Sequence, residues 1–218
     1  MRLDDRRHAG ILLAKKLESY RASPDTLVLA LPRGGVIVAR EVSLALHLPL
    51  DVCITRKVGL PECPEYAVAA VSETGFVYRN PDAAGALSDE RLAGLVDAQL
   101  REIARRQELY RGGRSLPSLF NQALIIVDDG VATGSTFLAT VEALARLSPR
   151  QIVAAIPIAP VSTAAKIRAL VDHCVILDTP EPFAAVSEFY AEFQQVEDEE
   201  VIRCLMQAAQ AYQAEPHD

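Results

Sequence analysis

A strand, a turn and a helix are written out in order between Ala123 and Leu147, and no other feature restricts the chain as much. Ala123-Leu124-Ile125-Ile126 is short, apolar and β-branched, which reads as a buried strand. Phe137 to Leu147 has helical periodicity. Between them stand Val127-Asp128-Asp129-Gly130-Val131-Ala132-Thr133-Gly134-Ser135-Thr136. A turn of this kind sets backbone N–H groups at a helix N-terminus, where a phosphate fits. Thr133, Ser135 and Thr136 add hydroxyl donors, and Gly130 and Gly134 admit the anion without a Cβ in its path. Acidic side chains repel phosphate but accept hydrogen bonds from neutral hydroxyls, so Asp128 and Asp129 read as clamps on a sugar diol. Cradle and clamp together imply a ribose 5-phosphate site. No Gly-Lys-Ser/Thr follows the glycines, which argues against a Walker-type nucleotide site. No Gly-x-Ser-x-Gly elbow suggests a hydrolase.

A second unit of the same kind lies upstream. Thr26 to Leu31 reads as a buried strand, Pro32-Arg33-Gly34-Gly35 as a tight turn, and Val36 to Leu46 as a helix. The coarse order is a helix over about Asp5–Tyr20, this unit, a strand over Leu50–Lys57, an insertion, the Asp-Asp unit, a strand over Gln151–Pro157, a helix, a strand over Cys174–Leu177 and a tail. Strands alternating with helices predict an α/β fold, a mostly parallel central sheet with helices on both faces. Both turns then fall at carboxyl ends of strands, where open α/β sheets bind ligands. The 218 residues, half of them hydrophobic, suit one domain, 1–218.

The insertion, 58–121, interrupts this rhythm. Val58 to Glu65 carries Pro and Gly and reads as irregular. Tyr66 to Ser72 and Phe76 to Arg79 read as a β-hairpin pivoting on Thr74-Gly75. Ser88 caps a long helix whose apolar stripe is Leu92, Leu95, Val96, Leu100 and Ile103, ended by Gly112-Gly113.

An apolar strand, two acids and a Thr-Gly turn resemble the phosphoribosyl diphosphate (PRPP) signature of the type I phosphoribosyltransferases. The likeness covers essentially the whole chain. Asp5-Arg6 and Ala9-Gly10, the Arg-Lys-Val-Gly-Leu-Pro run from Arg56, and the aromatic stretch from Phe183 to Phe193 are similar to a bacterial group whose acceptor the family name does not specify. The resemblance implies transfer of a 5-phosphoribosyl group to a nitrogen acceptor, a nucleobase for instance, with Mg²⁺ bound mainly through PRPP. It implies that the loop from Gly130 through Val131 to Thr136 binds PRPP, with Ala132 to Thr136 on the 5-phosphate, and that Arg33, Gly34 and Gly35, with a strained or cis peptide, bind the diphosphate. Arg56 and Lys57 join them at the hinge of a mobile lid. The tail, 178–218, becomes a hood, with Phe183, Phe189 and Tyr190 against the acceptor. A homodimer is usual among such relatives.

The catalytic base is less legible. Where hypoxanthine/guanine members carry an acid before Thr-Gly, this chain has Ala132, so that role does not transfer. The loop is closer to adenine-type members, which place a Glu on the lid. Glu65 is the first candidate, with Glu62 and Glu73 behind it. A non-catalytic PRPP-binding regulator is the alternative reading.

Composition limits the partners. A net charge of −7 argues against nucleic acid and acidic membranes, and Arg33, Arg56 and Lys57 must gather an anionic substrate against it. No apolar run approaches a membrane span. Cys53, Cys63, Cys174 and Cys204 are scattered, without a Cys-x-x-Cys pair, and the four histidines share no ligand spacing. These features predict a cytoplasmic enzyme with no protein-held metal.

Overall fold

The computed structural model describes residues 2–83, 85 and 87–214. Two strands form its centre, β1 (Thr26–Ala30) and β6 (Ala123–Val127), each buried along its whole length. They pair in parallel from Thr26↔Ala123 to Ala30↔Val127. With β2 (Leu50–Val52), β7 (Gln151–Ile158) and β8 (His173–Asp178) they form a five-stranded parallel sheet of order β2-β1-β6-β7-β8. Strands buried on both faces need apolar residues at successive positions, which explains runs such as Leu124-Ile125-Ile126. Leu29, Leu124, Ile126 and Ile156 face α4 (Ser135–Ala145) and α5 (Val161–Arg168). Val28, Ala30, Ile125 and Val127 face the other layer, α1 (Arg6–Lys16), α2 (Gly34–Leu46) and α6 (Asp198–Ala214). The α/β architecture expected from the sequence is therefore present. Among the described residues no helix is long and apolar enough to cross a membrane.

Three local expectations change. The strand over Leu50–Lys57 is two strands: β2 stops at Val52, opposite Ala30, the last residue of β1. With no partner beyond that point the chain leaves the sheet, and β3 (Thr55–Leu60) joins β4 (Cys63–Ser72) and β5 (Val77–Arg79) in a separate antiparallel sheet. The stretch from Val58, expected to be irregular, is part of that sheet. Its glycine marks register shifts at Val58/Gly59 and Gly59/Leu60 rather than a break. The first helix also ends early, at Lys16, and Glu18–Tyr20 continues as a 3₁₀ turn.

The hairpin and the long helix of the insertion form as expected. Gly75 turns the chain between β4 and β5 with φ of 82°. Ser88 caps α3 (Asp89–Arg111) by accepting from the Arg91 N–H, and Leu92, Val96 and Ile103 are buried. The small sheet is tied to the core at its base. Thr140 Oγ1 of α4 meets Thr55 Oγ1 at 2.8 Å, and Glu73 forms a buried ion pair with Arg111 of α3. The N-terminal segment is tied to the stretch before α6: Leu3 N–H donates to Phe189 O, and Ala191 N–H to Leu3 O, each at 2.8 Å.

Candidate active site

The loops after β1 and β6 leave the sheet side by side because their strands are neighbours. In the first, the peptide between Pro32 and Arg33 is cis, and Gly34 and Gly35 begin α2 directly. A Cβ on Gly34 would lie 1.9 Å from Asp129 Oδ2, so a glycine lets the two loops pack in contact. Gly35 also packs against the end of β6, with Val127 O 2.9 Å from where its Cβ would be.

In the second loop Asp128 and Asp129 are both half-buried. The Asp129 N–H donates to Asp128 Oδ1 at 2.9 Å. Burial, and then the charge of Asp129, pushes the Asp128 carboxyl well above the ordinary aspartate range. Asp129 is held from three directions. Arg6 Nε donates to its Oδ2 at 2.7 Å, the Tyr190 hydroxyl donates to its carbonyl at 2.6 Å, and Gly34 packs against its side chain. Gly130 lies beneath Val186.

Beyond the acids the loop opens. Val131 is buried and its N–H donates to Ile158 O at 2.9 Å. Its backbone donor is thus already used, and Val131 anchors the loop rather than meeting a ligand, a correction to its expected place in the cradle. Thr163 Oγ1 donates to Ala132 O at 2.7 Å and fixes the exposed turn from below. Gly134 caps α4 with φ of 85°, a conformation that side chains disfavour. The first N–H groups of α4, at Ser135 and Thr136, have no partners within the helix, and the exposed Thr133 stands just before the Gly134 cap. Thr133 and Ser135 border a cavity of about 840 Å³, also lined by Lys57, Tyr66 and Tyr78 of the small sheet and by Lys166 of α5.

Arg56 and Lys57 separate, because successive strand residues project to opposite faces. Lys57 enters the cavity beside Thr133. Arg56 turns to α3, donating to Gln99 Oε1 at 3.1 Å. Burial, then the charges of Arg106, Arg105 and Arg33, lowers the Arg56 pKa. Asp198 lies between Arg33 and Arg105, and Glu102 between Arg105 and Arg106, so these arginines form a cluster interleaved with carboxylates. Arg105 and Arg106 were not singled out from sequence; their only signal was adjacency within an amphipathic helix. Arg33 is not free in the cluster, since Nη1 is 3.5 Å from Glu197 Oε2 and 3.9 Å from Asp198 Oδ1 at the start of α6.

The base and hood candidates are sorted by the same geometry. Glu73 cannot act on an acceptor: its side chain is 2% exposed and accepts from Arg111, Gln107 and the Ile54 N–H. Glu62 lies exposed at the β3–β4 turn, paired with Arg91. The side chain of Glu65 lies outside the described residues. Phe183 and Phe189 stack on each other with centroids 5.2 Å apart, each half-buried. Tyr190 is 4% exposed, so it supports Asp129 and presents no face for an acceptor, contrary to its expected role in the hood.

Comparison with known proteins identifies the family of the chain. A family model described as phosphoribosyl transferase domain matches residues 4–193. The chain belongs to the phosphoribosyl transferase family. Two Mycobacterium tuberculosis proteins, from strains CDC 1551 / Oshkosh and ATCC 25618 / H37Rv and each named Putative phosphoribosyl transferase, are 40% identical over 207 residues. The match covers 94% of this chain and 46% of theirs, so the chain spans about half the length of these curated relatives. The crystal structure of TT1426 from Thermus thermophilus is 38% identical and superposes with a TM-score of 0.79, covering 95% of this chain and 99% of that one.

Phosphoribosyl transferases as a family imply magnesium. Among the described residues, no group of three or more His, Cys, Asp or Glu converges to hold a metal ion.

Proposed function

We propose that this phosphoribosyl transferase uses PRPP with Mg²⁺ and displaces diphosphate from the ribose anomeric carbon with a nitrogen nucleophile of a nucleobase. The observation that carries the reading is the contact between loops: Gly34, in the loop assigned to diphosphate, packs against Asp129, in the loop assigned to ribose. A ligand with a diol and two separate anionic groups would span that junction. Asp128 and Asp129 would accept from the ribose hydroxyls, and the backbone and hydroxyl donors from Ala132 to Thr136, without Val131, would take the 5-phosphate. Gly34 and Gly35 would donate to the diphosphate, with Arg33 and Arg56 opposing its charge. Bound Mg²⁺ would neutralise part of the leaving diphosphate. The small sheet and α3 would serve as a lid that keeps water from the electron-poor ribose carbon. Phe183 and Phe189 offer the hood an aromatic pair for a flat acceptor.

The alternative, a PRPP-binding regulator without chemistry, draws on Ala132 and on the burial of Glu73, which removes one base candidate. Calorimetric titration of PRPP with Mg²⁺, followed by a panel of nucleobases assayed for diphosphate release, separates the two. Binding with release for one base establishes the transferase and names its acceptor. Binding without release favours the regulator, and no binding of PRPP overturns both.

A further inference from the structure

Arg6, the first residue of α1, reaches the ribose clamp from outside both ligand loops. Its guanidinium makes three contacts in different directions. Nε donates to Asp129 Oδ2 at 2.7 Å, Nη1 donates to Gln194 O at 2.8 Å, and the group lies 3.8 Å from the centroid of the Phe193 ring. The Arg6 and Asp129 side chains are only 10% and 16% exposed. Asp5 caps α1 through the His8 N–H and so sets where the helix, and Arg6 with it, begins. On the far side, Tyr190 packs on Phe193 with centroids 5.0 Å apart and donates to the Asp129 carbonyl.

We propose that Arg6 is a positioning residue for the ribose site, holding the Asp129 carboxylate so that its second oxygen receives one hydroxyl of the sugar diol. The proposal rests on the diol-clamp reading above. Burying an ion pair is a poor way to gain stability, because desolvation cancels much of the attraction and apolar packing serves as well. A pair retained against the ligand loops is better explained by what it orients. Arg6 occupies Oδ2 and sets the rotamer, Gly34 leaves room for that rotamer, and Oδ1 is the oxygen that a ligand hydroxyl would meet. Only a planar fork can satisfy Asp129, Gln194 and Phe193 at once, so lysine is not an equivalent. Both ends of the chain thereby join the site, α1 through Arg6 and the tail through Tyr190, Phe193 and Gln194.

The test compares three ligands that share one phosphate: ribose 5-phosphate and its 2-deoxy and 3-deoxy analogues, titrated by calorimetry into wild-type protein and Arg6→Gln. Wild type should lose affinity when either hydroxyl is removed. In Arg6→Gln the discrimination at one hydroxyl should shrink about tenfold, the size of one charge-assisted hydrogen bond, while the phosphate-dependent remainder stays. Equal weakening of all three ligands would mean a merely structural role and would overturn the proposal. Unchanged discrimination in Arg6→Gln would overturn it too while leaving the diol clamp standing. No discrimination in wild type would instead sink the diol-clamp reading itself. If Arg6→Gln does not fold, Arg6→Lys serves: it keeps the charge but not the fork, so discrimination should fall part of the way, and full wild-type discrimination would refute the proposal.

Discussion

The loop after β1 and the loop after β6 each follow a fully buried five-residue strand, and each launches a helix with no side-chain cap. Their surroundings differ. The first is enclosed: Gly34 lies against the Arg6–Asp129 pair, and Arg33 leans on Glu197 and Asp198 of the last helix. The second is held at its acids, at Val131 and by Thr163 beneath Ala132, but Ala132, Thr133 and Ser135 open onto the cavity. A helix N-terminus supplies donors in both places. What distinguishes them is the neighbouring charge. On the proposed reading, an incoming anion would compete with carboxylates for the arginine of the enclosed loop, whereas at the open loop it would meet backbone donors and Lys57.

The comparison breaks most visibly at the acids joining the loops. Replacing both, Asp128→Asn with Asp129→Asn, should weaken PRPP binding about a hundredfold or more, since two charge-assisted hydrogen bonds are lost; an unchanged Kd in calorimetry would end the clamp reading. Next is Gly34→Ala, whose Cβ would overlap Asp129 Oδ2. It should lower PRPP affinity about tenfold and cost roughly 1–3 kcal/mol of stability as the overpacked pair shifts, both measurable by titration and thermal melting. The enclosed loop can also be sharpened rather than broken. Glu197→Gln removes a competitor of the diphosphate for Arg33, so PRPP should bind about two- to threefold more tightly at low salt, a small effect because the pair is partly exposed. Wild-type affinity in that variant would mean that Arg33 is not shared.

The smallest effect concerns α3. Hydrogen bonds from Arg105 and then Arg106 hold the Glu102 carboxyl down at about 2, against an ordinary value of 4.5. A depressed acid stabilises the folded state above its unfolded pKa, and that contribution disappears as pH falls through the folded value. Wild-type stability should therefore fall between pH 4.5 and about 2 by slightly more than in Glu102→Gln. Parallel acid-unfolding curves would show that these pairs contribute nothing measurable.

How much of this could be read in advance follows from range along the chain. Asp128, Asp129 and the Thr-Gly turn lie within ten consecutive residues, so strand, turn and helix signals together determine their geometry. The hairpin about Gly75 and the cap at Ser88 are local in the same way. Leu50–Lys57 failed for the opposite reason: its apolar run continues past Val52, but β1, its partner, ends at Ala30. Tyr190 looked like an acceptor wall because aromatic spacing carries no information about burial. Glu73 looked like a candidate base because its partner Arg111 is 38 positions away.

By itself the sequence determined the two strand–turn–helix units, the acids between them and the α/β class, because hydrophobic period and turn chemistry act over a few residues. The tertiary structure decided which side chains meet those acids. Arg6 and Asp129 are 123 residues apart, and Tyr190 and Asp129 are 61. Contacts at that range depend on how the sheet orders its strands and where both chain ends pack, and no local pattern encodes either.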